Sequence, residues 1–216
     1  EKGLWLVSVL VISVSFLVSG GSDFLSLTAS LIGVTSLIFI AKGYIIGQVL
    51  MVVFSVFYGI ISFFFSYYGE MLTYLGMTAP IAAISVITWL KNPYDKAKSE
   101  VKVAKMSRSG AAVMFILSAA VTFIFYFILR HFDNANLIPS TISVTTSFLA
   151  SYLMMMRSPY YALAYAANDV VLIILWILAT LSSISYLPMV VCFLMFFIND
   201  LYGFFNWRKM MKRQSA

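Results

Sequence analysis

"YAANDVVLIILW", Tyr165 to Trp176, sets an amide and a carboxylate, Asn168 and Asp169, inside a run that otherwise reads as lipid-soluble. The next apolar run repeats the feature, since "FFINDLYGFFNW", Phe196 to Trp207, carries Asn199 and Asp200. A helix needs about 20 mostly apolar residues to cross the hydrocarbon, and an ionisable group inside it costs at least ~2.5 kcal/mol, so such groups face a partner or a water-filled cavity. The two runs argue for a helical membrane bundle with a polar interior.

Composition agrees. Of 216 residues, 62% are hydrophobic and 10% charged, and mean hydropathy is strongly positive, which is far from the balance of a soluble domain. The apolar runs are long, whereas a transmembrane barrel would show short segments of alternating polarity. The expected fold class is an all-α integral membrane protein in the lipid bilayer. Eight spans read from the runs and their breakers: Leu4 to Val18, Phe24 to Ala41, Tyr44 to Tyr67, Met71 to Leu90, Ala111 to Leu129, Ser140 to Met156, Tyr160 to Leu181 and Leu187 to Trp207. Among the connections only "KNPYDKAKSEVKVAKMSRSG", Lys91 to Gly110, is long.

On alternating sides, all fourteen lysines and arginines except Arg130 fall together. The positive-inside rule makes that side cytoplasmic and places both termini there. The formal charge of +6 is therefore topological information, and no nucleic-acid partner is expected because no folded basic domain is present. The first span is short and follows a lysine; it reads as an ordinary first helix in preference to a signal peptide ending at "SGG".

The remaining seven spans divide as three, one and three. "IAKGY" (Ile40 to Tyr44) and "MMRSPY" (Met155 to Tyr160) each close a helix with a basic residue before an aromatic start, and "TWLK" (Thr88 to Lys91) parallels "NWRK" (Asn206 to Lys209). An odd number of spans followed by a linker span preserves direction, so these are parallel repeats, a plan of transporters whose site lies between the halves. The expected division is an N-terminal helix over 1–20, a three-helix bundle over 24–91, a basic loop and linker helix over 92–138, a second bundle over 139–209 and a tail over 210–216.

Reactive chemistry is thinly represented. The single histidine, His131, and the single cysteine, Cys192, have no neighbours that make a metal site or a nucleophilic triad, and no Gly-rich phosphate loop exists. No enzyme activity, metal or cofactor is expected. The polar groups inside the spans carry the functional reading. At 1.5 Å per residue, Asn168 and Asp169 lie roughly 15 Å from the cytoplasmic end, and Asn199 and Asp200 roughly 12 Å. Asp169, Leu172 and Trp176 share one face of their helix; Asn199, Tyr202 and Asn206 share a face of the next, with Asp200 about a quarter-turn away, and Gln48 sits low in the third span. Together they suit a pocket with amides for hydroxyls, an aromatic plane for a flat ring and carboxylates for a positive charge. Clustered intramembrane polar groups favour the site for Asn168 and Asn199; for Trp176 a site wall and a packing residue stand equally open. Trp89 and Trp207, beside basic residues, read as interfacial belt, and Glu70 as a carboxylate near the outer surface.

At these residues the sequence resembles the PnuC vitamin transporters, which carry nicotinamide riboside. "YGEMLTYL" (Tyr68 to Leu75), "WLKN" (Trp89 to Asn92), "AANDVVLIILW" (Ala166 to Trp176) and "INDLYGFFNWRK" (Ile198 to Lys209) carry the resemblance, in order, from about Tyr44 onward; the first span lies outside it. The resemblance implies two three-helix bundles joined by a linker helix, like the SWEET sugar transporters in plan, and a homotrimer in the bacterial inner membrane. It further implies facilitated diffusion made one-way by a cytoplasmic riboside kinase. Asn168, Trp176, Asn199 and Tyr202 match its signature positions; Gln48, Asp169 and Asp200 join the substrate-binding set from the chemistry above. "TYLGMTAP" (Thr73 to Pro80) departs from the expected pattern. Two other readings stay open: a proton-coupled symporter using Asp169 and Asp200, and a non-transporting scaffold or receptor whose polar groups only lock helices.

Overall fold

The computed structural model describes residues 1–20, 23–64, 67–95, 98–134 and 136–215. Its helices are α1 (Lys2–Val18), α2 (Phe24–Ala41), α3 (Ile45–Phe64), α4 (Tyr68–Thr73), α5 (Ala79–Leu90), α6 (Arg108–His131), α7 (Leu137–Met155), α8 (Tyr161–Ser182) and α9 (Leu187–Ser215). Seven segments are long and apolar enough to cross a membrane, with α4 and α5 counting as one, while α1 is shorter. The chain is all-helical in its membrane part, as the apolar runs required.

Local chemistry explains the departures from the expected bounds. The fourth span, expected as one helix from Met71, is broken by a π-helical turn over Tyr74–Thr78 just before Pro80, a residue with no N–H to continue the α pattern. Beyond Trp207, α9 runs on through Lys212 and Arg213 to Ser215, because basic side chains at a helix C-terminus favour its dipole. The long basic connection contains two short strands, β1 (Pro93–Asp95) and β2 (Lys98–Val101), paired antiparallel.

Packing sorts the spans. α3 lies against α2 and α5, α8 lies between α7 and α9, and α2 crosses to α9 while α5 reaches α7. α6 packs on α7 and buries only Met114, Ser118 and Leu129. α1 packs on α2 and α9. The α2–α9 crossing is close because Gly33 has no side chain: a Cβ there would sit 2.3 Å from the Phe196 ring and 2.9 Å from Phe54.

The turns after α2 and α7 are built alike. Gly43 (φ +70°) and Arg157 (φ +59°) both take the left-handed conformation. Tyr44 N–H reaches the Phe39 carbonyl and Gly43 N–H that of Ile40; Ser158 reaches Leu153 and Arg157 reaches Met154 in the same pattern, two Schellman motifs. Trp89 and Trp207 then cross. Each is fully buried, their rings lie 5.5 Å apart, and Trp207 Nε1 donates to the Ile40 carbonyl (2.8 Å) while Trp89 Nε1 donates to that of Met154 (3.3 Å). The interfacial-belt reading of these tryptophans is therefore corrected: an indole that finds its partner on another helix can be buried whole.

Candidate functional site

An aromatic cluster occupies the junction of α3, the π turn, α8 and α9. Tyr58 of α3 and Trp176 of α8 are both fully buried, and Trp176 Nε1 donates to the Tyr58 hydroxyl at 2.9 Å. The Tyr74 ring meets Tyr58 edge-on at 4.4 Å between centroids, Tyr67 meets Trp176 at 5.0 Å, and Phe193 closes on Tyr58 at 5.5 Å. The π turn matters here because its extra residue shifts the phase of the helix as it presents Tyr74.

Carboxylates border this cluster. The side chains of Asp169 and Asp200, 3% exposed each, meet across α8 and α9. Asp169 is within electrostatic reach of Tyr74 and Tyr165, and Asp200 of Tyr161 and Tyr165. Glu70 of α4 is 2% exposed, which corrects its reading as an outer-surface carboxylate. It lies in reach of Tyr58 and Tyr74, with Ser143 of α7 beside it. Both oxygens of Glu70, Oδ2 of Asp169 and Nε2 of Gln48 are buried among protein groups that do not complete their hydrogen bonding. Among the described residues no lysine or arginine is buried.

The expected site residues divide three ways. Asp169, Trp176 and Asp200 converge at the centre. Gln48 is buried on α3, on the stripe that also carries Ser55 and Ser62 at seven-residue spacing. The other three turn toward neighbouring helices. Asn168 Oδ1 accepts from Thr146 (2.8 Å), Ser147 (3.0 Å) and Ser143 (3.4 Å) of α7. Asn199 Nδ2 donates to Ser8 Oγ of α1 at 3.0 Å and to the Met195 carbonyl at 2.7 Å. Tyr202, half-buried, donates to Glu1 at 2.9 Å, and Asn206 of the same face donates to the Ala41 carbonyl at 2.6 Å. The face carrying Asn199, Tyr202 and Asn206 thus meets α1 and α2, and only Asp200, a quarter-turn away, looks inward.

Sequence reasoning missed Tyr58, Tyr74 and Ser143. The polar stripe Gln48, Ser55, Ser62 of α3 and the hydroxyls Ser143, Ser147 and Ser151 of α7 were the signals available, because hydroxyls repeating on one helix face mark the side turned from lipid. Tyr74 had no such signal, since a π turn breaks the periodicity that would have placed it.

Comparisons with known proteins follow the same lines. Over residues 23–209, which begin after α1, the chain matches the family model described as nicotinamide mononucleotide transporter. It is 25% identical over 219 residues to a nicotinamide riboside transporter PnuC of Neisseria mucosa, spanning 100% of this chain and 83% of that one. A protein of the same name from Haemophilus influenzae is 21% identical over 97% of this chain and 90% of its own. A solved structure described as the crystal structure of the vitamin B3 transporter PnuC superposes with a TM-score of 0.83 at 24% identity, covering 97% of this chain and 91% of the other. With a buried aromatic and carboxylate centre inside seven apolar spans and a family match over all of them, the chain belongs to the nicotinamide mononucleotide transporter family, the PnuC family.

Proposed function

We propose that the protein takes up nicotinamide riboside across the bacterial inner membrane by facilitated diffusion, through a site between two three-helix bundles that opens to one side at a time. The observation that carries the substrate is the centre itself: Tyr58, Tyr74 and Trp176 beside Glu70, Asp169 and Asp200, with no buried lysine or arginine among the described residues. Nicotinamide riboside carries a cationic pyridinium ring, which suits an aromatic face with nearby carboxylates. A mononucleotide would bring its phosphate to the same carboxylates and is rejected by like-charge repulsion. Phosphorylation by a cytoplasmic riboside kinase then traps the product, because the new charge bars return.

The 3+1+3 plan is supported by the matched Schellman turns at Gly43 and Arg157 and by the crossed Trp89 and Trp207. Residues 24–91 and 139–209 form the two bundles, and α6 is the linker. The single-sided basic charge supports cytoplasmic termini. The poorly buried α6 is a lipid-facing or subunit-facing surface suited to a homotrimer. Gln48 completes the substrate set, while Asn168, Asn199 and Tyr202 hold the helices that present it.

One observation favours a second reading. Asp169 and Asp200 meet inside the membrane, an arrangement also suited to carrying a proton with the solute. Uptake of labelled riboside into liposomes of the purified protein, without an ion gradient, separates the two. Saturable equilibration supports the facilitator, and flux that starts only with a proton gradient supports coupling. No flux under either condition overturns the substrate.

A further inference from the structure

The connection between the two halves crosses their basic ends. Val101 N–H donates to the Gly43 carbonyl and Ala104 N–H to the Arg157 carbonyl, both at 2.9 Å. These acceptors are the two left-handed residues of the matched turns, so one short segment, the end of β2 and the three residues after it, makes the same bond to each half. Its Val101 is fully buried. Further bonds anchor the strand mainly to the second half: the Arg157 guanidinium donates back to the Lys102 carbonyl (3.3 Å), Val103 N–H donates to Gln214 Oε1 (2.7 Å), Gln214 Nε2 donates to Glu100 (2.8 Å), and Glu100 pairs with Arg213. Toward the first half there are the Gly43 bond, which forms part of the antiparallel bridge of Glu100 with Tyr44, the bond from Lys102 N–H to the Asn92 carbonyl (2.9 Å) just after α5, and the pairing of β1 with β2.

We infer that residues 100–104 are a strap that closes the basic end of the pathway and leaves the α2–α3 turn each time that end opens. The inference rests on the alternating-access reading above. Three residues separate the two donors, and an extended chain spans at most about 3.6 Å per residue, so the donors stay within about 11 Å of each other. While both bonds hold, the two turns cannot part beyond that tether. The bonds to α9, Arg157 and Asn92 outnumber the one to Gly43, so the α2–α3 turn is the part released. Beneath the strap the crossed Trp89 and Trp207 tie the same two turns a second time, through the carbonyls of Met154 and Ile40. These bonds must exchange in the same movement.

Partners in an antiparallel bridge have Cα atoms about 4.5–5.5 Å apart, within disulfide range. The test therefore uses Tyr44→Cys with Glu100→Cys in a Cys192→Ala background. Gln48→Cys, one turn inside α3, is added in a second variant as a reporter for a charged maleimide, and riboside flux is read only in the protein that keeps Gln48. Oxidation is expected to slow labelling at position 48 and riboside flux by at least about tenfold, with both restored by reductant. Without the disulfide, Glu100→Ala unfastens the strap from Arg213 and Gln214 of α9 and is expected to speed labelling at position 48 by about tenfold, because a strap held by fewer bonds covers that end for less of the time. Labelling that ignores both the disulfide and Glu100→Ala makes the strap a static brace and overturns the inference. Labelling that follows the disulfide in a protein with no riboside flux keeps the strap and overturns the substrate instead.

Discussion

Trp176→Phe tests whether the central aromatic cluster recognises a cation or only fills space. The indole is fully buried and donates to Tyr58 at 2.9 Å; phenylalanine keeps a ring in place but removes that donor and weakens the ring's attraction for a cation. Losing the neutral buried hydrogen bond costs about 1 kcal/mol of stability, and the poorer cation–π contact costs about 0.5–1 kcal/mol of binding. Nicotinamide riboside is therefore expected to bind about two- to fivefold more weakly, since ~1.4 kcal/mol corresponds to a factor of ten. Calorimetry on the purified protein measures this, with the uncharged dihydro form of the riboside as control. The control is expected to lose less, because it presents no cation to the ring. Trp176→Ala removes the ring as well and costs about 3–5 kcal/mol of stability, read as a lower unfolding midpoint in detergent. Equal losses for charged and uncharged ligands on Trp176→Phe, or no loss for either, would refute cation recognition and leave Trp176 as packing.

Asp169→Asn and Asp200→Asn are each expected to weaken the cationic riboside more than its dihydro form, by at least about tenfold, because each removes a charge from a poorly solvated site; equal effects on both ligands would count against the carboxylates' role. Gly33→Ala is expected to lower stability by about 1–3 kcal/mol through overpacking, since the added Cβ would meet Phe196 at 2.3 Å, and a companion Phe196→Leu should recover part of it in a thermal melt. Trp89→Phe and Trp207→Phe are expected to cost similar amounts, about 1 kcal/mol each, as crossed equivalents should; a large disparity in their midpoints would count against equivalence. The Lys42 ammonium hydrogen-bonded to Glu1, helped by the Tyr202 hydroxyl, holds the Glu1 carboxyl below its usual 4.5. A depressed carboxylate contributes attachment that is fully present above its ordinary value and is lost as pH falls through the lowered one. Protection from hydrogen exchange at the start of α1, taken relative to the intrinsic rate at each pH, should therefore stay constant above pH 4.5 and fall beneath it, and protection unchanged in acid would show that the contact carries nothing.

The sequence by itself determined the membrane class and the spans, because a helix crossing hydrocarbon must satisfy its own backbone and show lipid an apolar run. It also set the height of each polar residue along its helix, since height follows from counting residues along a helix of constant rise. Tertiary structure decided which neighbour each face meets. Asn199 and Asp200 are consecutive, yet one reaches Ser8 of α1 and the other Asp169 of α8, since a hundred degrees of rotation means nothing until the surrounding helices are in place. Glu70, seen from its position near a helix start, resembled a surface carboxylate, and only the packing of α4 against α3 and α7 buried it. Tyr74 entered the cluster through a π turn that interrupts the period a sequence pattern relies on. Trp89 and Trp207, each beside a lysine or arginine, had the local signature of an interfacial belt. The partners that take them inside, the Met154 and Ile40 carbonyls, lie 65 and 167 residues away along the chain, and contacts at such separation leave no local pattern to read.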